Sequence, residues 1–150
     1  MGASFVFGIL AGVKAPLAHW EPGAAGVLCV AGPHAIPVST ATRVADDRLV
    51  FALGRRREAL ARLRSDPAVA FCLLGEGLAF TAHGSARVIR EELESAPVVA
   101  VELRVERVQD HLADGRTEML CAPAWRWVDD AAAASDLEVR AELDLLRSGS

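Results

Sequence analysis

The stretch Gly32-Pro33-His34-Ala35-Ile36-Pro37-Val38-Ser39-Thr40-Ala41-Thr42-Arg43, continued through Asp46-Asp47 into Leu49-Val50-Phe51-Ala52-Leu53-Gly54, decides the fold class. Gly32-Pro33 is a turn dipeptide, and from His34 onward the side chains alternate. Ile36, Val38, Thr40 and Thr42 fall on one face, with Pro37, Ser39 and Ala41 on the other. A period of two marks a strand with one buried face. Asp46-Asp47 supplies a turn and the apolar run from Leu49 to Leu53 returns, so residues 34–43 and 49–53 are predicted to form a hairpin. Just before it, Val27-Leu28-Cys29-Val30 reads as a short strand ending at the Gly32-Pro33 turn. After Gly54 the period changes. Between Arg57 and Ser65, Leu60 and Leu63 share one side among Arg, Glu and Ala, which predicts a short amphipathic helix stopped by Asp66-Pro67.

Strands then resume. Val69–Leu74 is an apolar run closed by Gly75-Glu76-Gly77, and Leu78–Ile89 alternates, with His83 on its more polar face beside Thr81 and Ser85. Glu91–Ser95 reads as a helical turn before Pro97. Val99, Val101, Leu103 and Val105 alternate with Ala100, Glu102, Arg104 and Glu106, the pattern of a half-buried strand. Arg116–Trp127 reads as a last irregular strand or pair broken at Pro123. From Asp129 to about Arg147 an Ala-rich helix follows, with Leu137, Leu143 and Leu146 as its apolar positions. The expected architecture is mainly β with short helices: one domain over residues 1–150, six or seven strands in a small barrel, and a terminal helix over about 129–147.

Composition bounds the function. The chain has 150 residues, 52% hydrophobic and 24% charged, which is enough to bury a core without staples. A net charge of −4 argues against a general nucleic-acid binder. Cys29, Cys72 and Cys121 are widely spaced with no C-x-x-C, and Cys29 and Cys72 are expected as small core residues. The apolar stretch Phe5–Val13 has no basic residues before it and is far short of the roughly 20 residues of a membrane span. It is expected to pack on the domain or on a partner subunit, in a cytoplasmic protein that does not enter membranes.

Phosphate-loop, dinucleotide-fold, nucleophile-elbow and zincin motifs are all absent, and the four histidines lack metal-ligand spacing, so no metal site is expected. Three features remain. Arg55-Arg56-Arg57 stands between a strand and a helix start, where guanidinium groups and backbone N–H groups make either an anion site or a solvated basic turn. His83 reads as a structural hydrogen-bonding histidine or as a proton donor. Trp125 and Trp127 flank Arg126 and suit a subunit interface or pocket wall.

The order of these pieces resembles the pyridoxamine-phosphate-oxidase-like, FMN-binding split-barrel family over residues 24–110. Gly32-Pro33-His34-Ala35-Ile36-Pro37-Val38-Ser39 is similar to that family's G-x-P-H-x-x-P-V segment. The strand Leu49–Gly54 and the helix ending Leu63-Arg64-Ser65-Asp66-Pro67-Ala68-Val69-Ala70 resemble its strand, helix and L-R-x-[DN]-P-x-V signature. Gly84-Ser85-Ala86 resembles its G-x-A strand. The resemblance implies a six-stranded split barrel, a homodimer, and a flavin (FMN) or deazaflavin (F420) in a groove between subunits. By position, Pro37, Val38, Ser39 and Thr40 would line the ring with Ala52 and Leu53 beside them. Arg55, Arg56 and Arg57 would lie near the cofactor phosphate, and Trp125 and Trp127 would wall the site from the partner chain.

One departure bears on the cofactor. Eight positions before the helix-ending proline the flavin-binding relatives carry a basic residue that holds the phosphate, and here that position is Ala59, preceded by Glu58. Oxidation of pyridoxamine phosphate itself is therefore not expected. The reading is an FMN- or F420-dependent oxidoreductase acting on a small organic substrate, with His83 as the one side chain nominated to donate a proton or hydrogen bond. The alternative is a non-catalytic dimeric binding module for haem, another tetrapyrrole or a similar ligand, with a degenerate phosphate site.

Overall fold

The computed structural model describes residues 15–147, and the apolar stretch Phe5–Val13 lies outside them. Seven strands form one antiparallel sheet: β1 (Gly26–Val30), β2 (His34–Val38), β3 (Thr42–Ala45), β4 (Arg48–Gly54), β5 (Ala68–Gly75), β6 (Leu78–Arg90) and β7 (Val98–Asp110). Two helices complete it, α1 (Glu58–Ser65) between β4 and β5, and α2 (Asp130–Leu145) after β7. The strand order is β2-β1-β5-β6-β7-β4-β3.

That order makes the sheet roll. β2 and β3 stand at opposite edges, yet only Ser39, Thr40 and Ala41 join them. Four Cα steps reach at most roughly 14 Å, whereas seven flat strands would put the edges roughly 29 Å apart. The sheet must therefore curl until its edges nearly meet. No backbone ladder joins β2 to β3 among the described residues, so the barrel is split rather than closed.

The interior is built by alternation. Leu28 of β1, Ile36 of β2, Phe51 of β4, Phe71 of β5, Ala82 of β6 and Val101 of β7 all belong to one buried cluster. Ala59, Leu60 and Leu63 of α1 join that cluster from the side of the Gly32 turn. Trp20 packs against Phe80 and Phe71 with ring centroids 5.6 and 6.3 Å apart. Its indole N–H donates to the Ala41 carbonyl at 2.9 Å, which ties the segment before β1 to the β2–β3 crossing.

A second core lies outside the barrel. Val139 and Leu143 of α2 cover Val44, Val50 and Ala100 on the outer face of β3, β4 and β7.

Several expectations are corrected here. The continuous strand expected over 34–43 is two strands, because the backbone leaves the ladder at residues 39–41, and this gives seven strands rather than six. His34–Val38 pairs with β1, and only Thr42–Ala45 forms the hairpin with β4. Arg116–Trp127 is not a strand. It runs as an irregular strap held by Gly77 N–H to the Met119 carbonyl and by Trp125 Nε1 to the Gly23 carbonyl. Pro123 removes a donor from it. Glu91–Ser95 forms bends rather than a helical turn, since the Glu94 and Ser95 N–H groups donate to the Glu142 carboxylate of α2. β7 is buried on both faces around Ala100 and Glu102, because on the side expected to be solvated α2 covers Ala100 and two arginines, Arg48 and Arg87, engage Glu102. Leu143 is buried and Leu146 packs beside it as expected, but Val139 takes the place expected for Leu137, which is 62% exposed. Cys29 and Cys72 are half-buried on the outer face of β1 and β5, not in the core.

Candidate functional site

The corner where the chain crosses from β2 to β3 brings two of the nominated residues together. Thr40 Oγ1 accepts a hydrogen bond from the Ala52 backbone N–H at 2.9 Å. Thr40, Ser39 and Ala52 are all half-buried. Val38 and Leu53 turn into the barrel, at 6% and 4% exposure, so they reach a ligand only through their backbone. Pro37 stands exposed on the outer face of β2, opposite Val27 of β1.

β4 leads from this corner to the arginine triplet. All three arginines are exposed, and the Arg57 N–H closes a turn onto the Gly54 carbonyl at 3.1 Å. Arg57 is the residue preceding α1 and makes no side-chain cap, so the helix start keeps backbone donors facing outward. Arg55 pairs with Glu92 at 2.7 Å. Arg56 and Arg57 have no ion pair among the described residues, so their guanidinium donors point to solvent.

The position the resemblance marks for a basic residue does not fit a phosphate. Ala59 is 0% exposed and faces the barrel core. Its neighbour Glu58 accepts from Arg62 Nε at 2.7 Å and lies 3.3 Å from His34 Nδ1. The Arg62 hydrogen bond, then the charges of Arg62 and His34, hold the Glu58 carboxyl below the usual carboxylate range. Arg62 also donates to the Ala31 carbonyl at 3.2 Å and packs across Gly32. Gly32 has a φ of +122°, and a Cβ there would lie 1.7 Å from Arg62 Nη1. Basic charge near this helix start is thus consumed internally, and Arg56 and Arg57 are the arginines left for an external anion.

His83 lies elsewhere. Its Nε2 is 2.6 Å from Gln109 Oε1 on the outer face of the β6–β7 pair. Ala52 faces Ala100 across the β4–β7 ladder, and Ala100 faces Arg90 of β6. His83 is seven residues along β6 from Arg90, roughly 23 Å at strand rise. Within one chain it does not meet the Thr40–Ala52 corner. The face around it is low in charge: Ala35, Val27, Cys29, Ala70, Cys72 and Leu74 point outward from β2, β1 and β5. Val27 and Leu74 are 40% and 42% exposed there.

Trp125 and Trp127 stack edge to face with centroids 5.7 Å apart, about two-fifths exposed, beyond the barrel rim. No group of three His, Cys, Asp or Glu side chains able to hold a metal occurs among the described residues. No described helix is long and apolar enough to cross a membrane.

The sequence missed two features. One is a cavity of about 430 Å³ between α2, β3 and the segment before β1, with Trp20, Ala41, Arg43, Leu137 and Arg140 among its walls. The other is Glu102, which looks like a solvent-facing residue in an alternating strand and is 3% exposed. The signal for the cavity was the terminal helix, whose apolar side had to cover some sheet face, whereas Glu102 is enclosed by Arg48 and Arg87, which strand alternation does not mark.

No family model matches the sequence, and no curated protein does. Solved structures do match. HupZ of Group A Streptococcus aligns with 73% of this chain and all of its own, at a TM-score of 0.52 and 11% identity. An F420 reductase aligns with 59% of this chain and 91% of its own, at 0.51 and 14%. A Lactobacillus delbrueckii protein provisionally described as a pyridoxamine 5'-phosphate oxidase aligns with 58% of this chain and 84% of its own, at 0.50 and 19%. At these identities the likeness is one of fold, and it agrees with the split strand order and the single antiparallel sheet. The chain has the split-barrel fold of the pyridoxamine 5'-phosphate oxidase-like and F420 reductase proteins.

Proposed function

We propose that this protein is a flavin- or deazaflavin-dependent oxidoreductase that works as a homodimer on a small organic substrate. The observation that carries the reading is the Thr40–Ala52 corner, joined through β4 to the exposed Arg56 and Arg57. Small side chains at Ser39, Thr40 and Ala52 let a planar ring approach the backbone closely. Arg56 and Arg57, with the N–H groups at the start of α1, suit the anionic end of the cofactor. FMN or F420 supplies hydride chemistry when bound, and the protein supplies orientation, electrostatics and exclusion of water.

The low-charge face carrying Val27 and Leu74 suits a second copy of the chain, as exposed apolar sheet surface does. In such a dimer the partner brings its own His83 and its Trp125 and Trp127 as further walls, with the His83 ring nitrogen as hydrogen-bond donor to substrate. The F420 reductase of like fold supports the deazaflavin option. A second reading is favoured by one observation, the burial of Ala59 beside an engaged Glu58: a split barrel kept as a binding module, without catalysis.

The test is a fluorescence titration of the purified protein with FMN and with F420, alongside sedimentation to count subunits. Saturable binding of one of them, at one site per subunit and at least about tenfold weaker in the Arg56→Ala/Arg57→Ala double variant, is the expected result. Absence of binding by both overturns the oxidoreductase reading and favours the module, which a haem titration then tests.

A further inference from the structure

Leu137 is an exposed leucine on a helix that buries Val139 and Leu143. It does not stand alone. With Trp20, Pro22, Ala41 and Ala141 it forms the apolar walls of the cavity of about 430 Å³ between α2, β3 and the segment before β1. That volume falls within the range of small-molecule sites, roughly 300–1,000 Å³.

The walls are held before any ligand arrives. The Trp20 ring is braced by Phe71 and Phe80, and its N–H is fixed on the Ala41 carbonyl at 2.9 Å. A fixed indole offers a flat apolar surface that needs no ordering on binding, and it suits an aromatic body. Arg43, at the β3 wall, donates from Nε to the Leu17 carbonyl at 3.1 Å.

Three arginines line the cavity, and each has its own carboxylate: Arg43 with Asp46, Arg140 with Asp136 at 2.8 Å, and Arg147 with Asp144 at 3.0 Å. His19, the remaining titratable wall beside them, is exposed to solvent. The pairs cancel, so no excess charge of either sign offsets the desolvation of an ionic ligand.

Arg140 supplies the polar handle. Its contact with Asp136 lacks hydrogen-bond geometry, and its buried Nε has no acceptor among the described residues. A buried donor left unsatisfied is unfavourable and calls for a partner. Its guanidinium lies against Gly23, where φ is +81° and a Cβ would come within 2.7 Å of Nη1. A small rotation there brings a donor to an oxygen atom held in the cavity.

We infer that this cavity binds a neutral aromatic molecule bearing a hydroxyl or carbonyl group, with its ring against Trp20 and Leu137 and its oxygen toward Arg140. The site does not rest on the cofactor reading, since Thr40, Ala52, Arg56 and Arg57 are not among its walls.

Calorimetric titration of the full chain, free of cofactor, with 2-naphthol, 2-naphthoate and cyclohexanol at neutral pH tests it. 2-Naphthol should bind saturably at one site per chain. The other two should bind more weakly, the first for its charge and the second for its lack of an aromatic ring. Ala141 and Leu137 are both exposed, so Ala141→Trp, which fills the cavity, and Leu137→Gln, which makes its wall polar, should unfold at the wild-type temperature. Ala141→Trp should weaken 2-naphthol binding by about tenfold or more and Leu137→Gln by about threefold or more. No saturable binding of 2-naphthol, binding of 2-naphthoate or cyclohexanol that is equal or tighter, or 2-naphthol binding that either variant leaves intact, overturns the inference.

Discussion

The hydroxyl of Thr40 stands in for a backbone carbonyl opposite Ala52. Thr42 faces Val50 in the β3–β4 ladder, so the next rung would join Thr40 to Ala52. The Thr40 carbonyl is instead turned to receive the Thr42 hydroxyl at 3.0 Å, and Thr40 Oγ1 accepts the Ala52 N–H at 2.9 Å. The backbone leaves the ladder without orphaning the Ala52 donor. This release lets three residues carry the chain from one sheet edge to the other, and it creates the corner proposed to hold a flat ring.

Replacing Thr40 by Val keeps the shape and removes the acceptor. The unsatisfied Ala52 N–H should lower stability by about 1–3 kcal/mol, whereas Thr40→Ser should lie close to wild type. Urea unfolding of the two variants reads the difference directly. Equal midpoints for Val and Ser would mean that the hydroxyl does not hold the corner. If the corner is the wall of the cofactor groove, Thr40→Val should also weaken FMN or F420 binding more than Thr40→Ser does.

Periodicity made the strands of the barrel legible, because interior positions such as Leu49, Phe51 and Leu53 repeat every second residue. The break at residues 39–41 was not legible, since Thr40 continues the alternation while its hydroxyl, not its backbone, meets Ala52, and its carbonyl is turned to the Thr42 hydroxyl. The outer face of β7 was misread for a related reason. Alternation marks one apolar face, but nothing local says that α2, some thirty residues on, covers the other side over Ala100, or that Arg48 and Arg87 enclose Glu102. Of the nominated site, Thr40 and Ala52 meet, while His83 and the tryptophans lie elsewhere on the chain. In the proposed dimer, which nominated residues share a groove depends on how the two copies pair, and one chain's pattern of apolar residues does not encode that geometry.

Ala59 tests the anionic subsite of the proposed cofactor. Its Cβ lies in the barrel core at 0% exposure, so Ala59→Lys forces a charged side chain against Leu60 and Leu63's neighbours. The expected outcome is a loss of roughly 2–3 kcal/mol with no gain in FMN affinity. A stable Ala59→Lys protein that binds FMN more tightly would show that the helix can turn this position toward the ligand.

Gly84 sits where β6 and β7 approach at a register shift between His83 and Gly84. A Cβ there would lie 1.9 Å from the Arg104 carbonyl oxygen, a backbone atom that has no rotamer to yield. Gly84→Ala should cost roughly 1–3 kcal/mol, or open the ladder locally. Thermal unfolding checks the first outcome, and hydrogen exchange at Ser85 and Val105 checks the second. Gly77, in the β5–β6 turn, meets nothing within 4 Å, but its φ of +66° makes Gly77→Ala a strain on the turn alone and a useful contrast.

Glu142 ties α2 to the bend that replaced the expected helical turn. Its oxygens accept from Glu94 N, Ser95 N and Ser95 Oγ at 2.9, 2.8 and 2.7 Å. Burial is the largest single influence on this carboxyl and pushes it up. The hydrogen bonds from Ser95 and from the two backbone N–H groups, with the charge of Arg90, together outweigh burial and hold it below the ordinary 4.5. A carboxyl depressed on folding stabilises the folded state fully above its unfolded value, and this contribution fades as pH falls through the folded one. Glu142→Ala should therefore lose roughly 1–2 kcal/mol at neutral pH, with the gap to wild type narrowing below about pH 4.5. Glu58 and Glu91, both also held low by their arginine partners, titrate in the wild type and the variant alike and cancel in the difference. Denaturant midpoints across this range measure it. A gap that stays constant into acid would place the effect of Glu142 in packing rather than in charge.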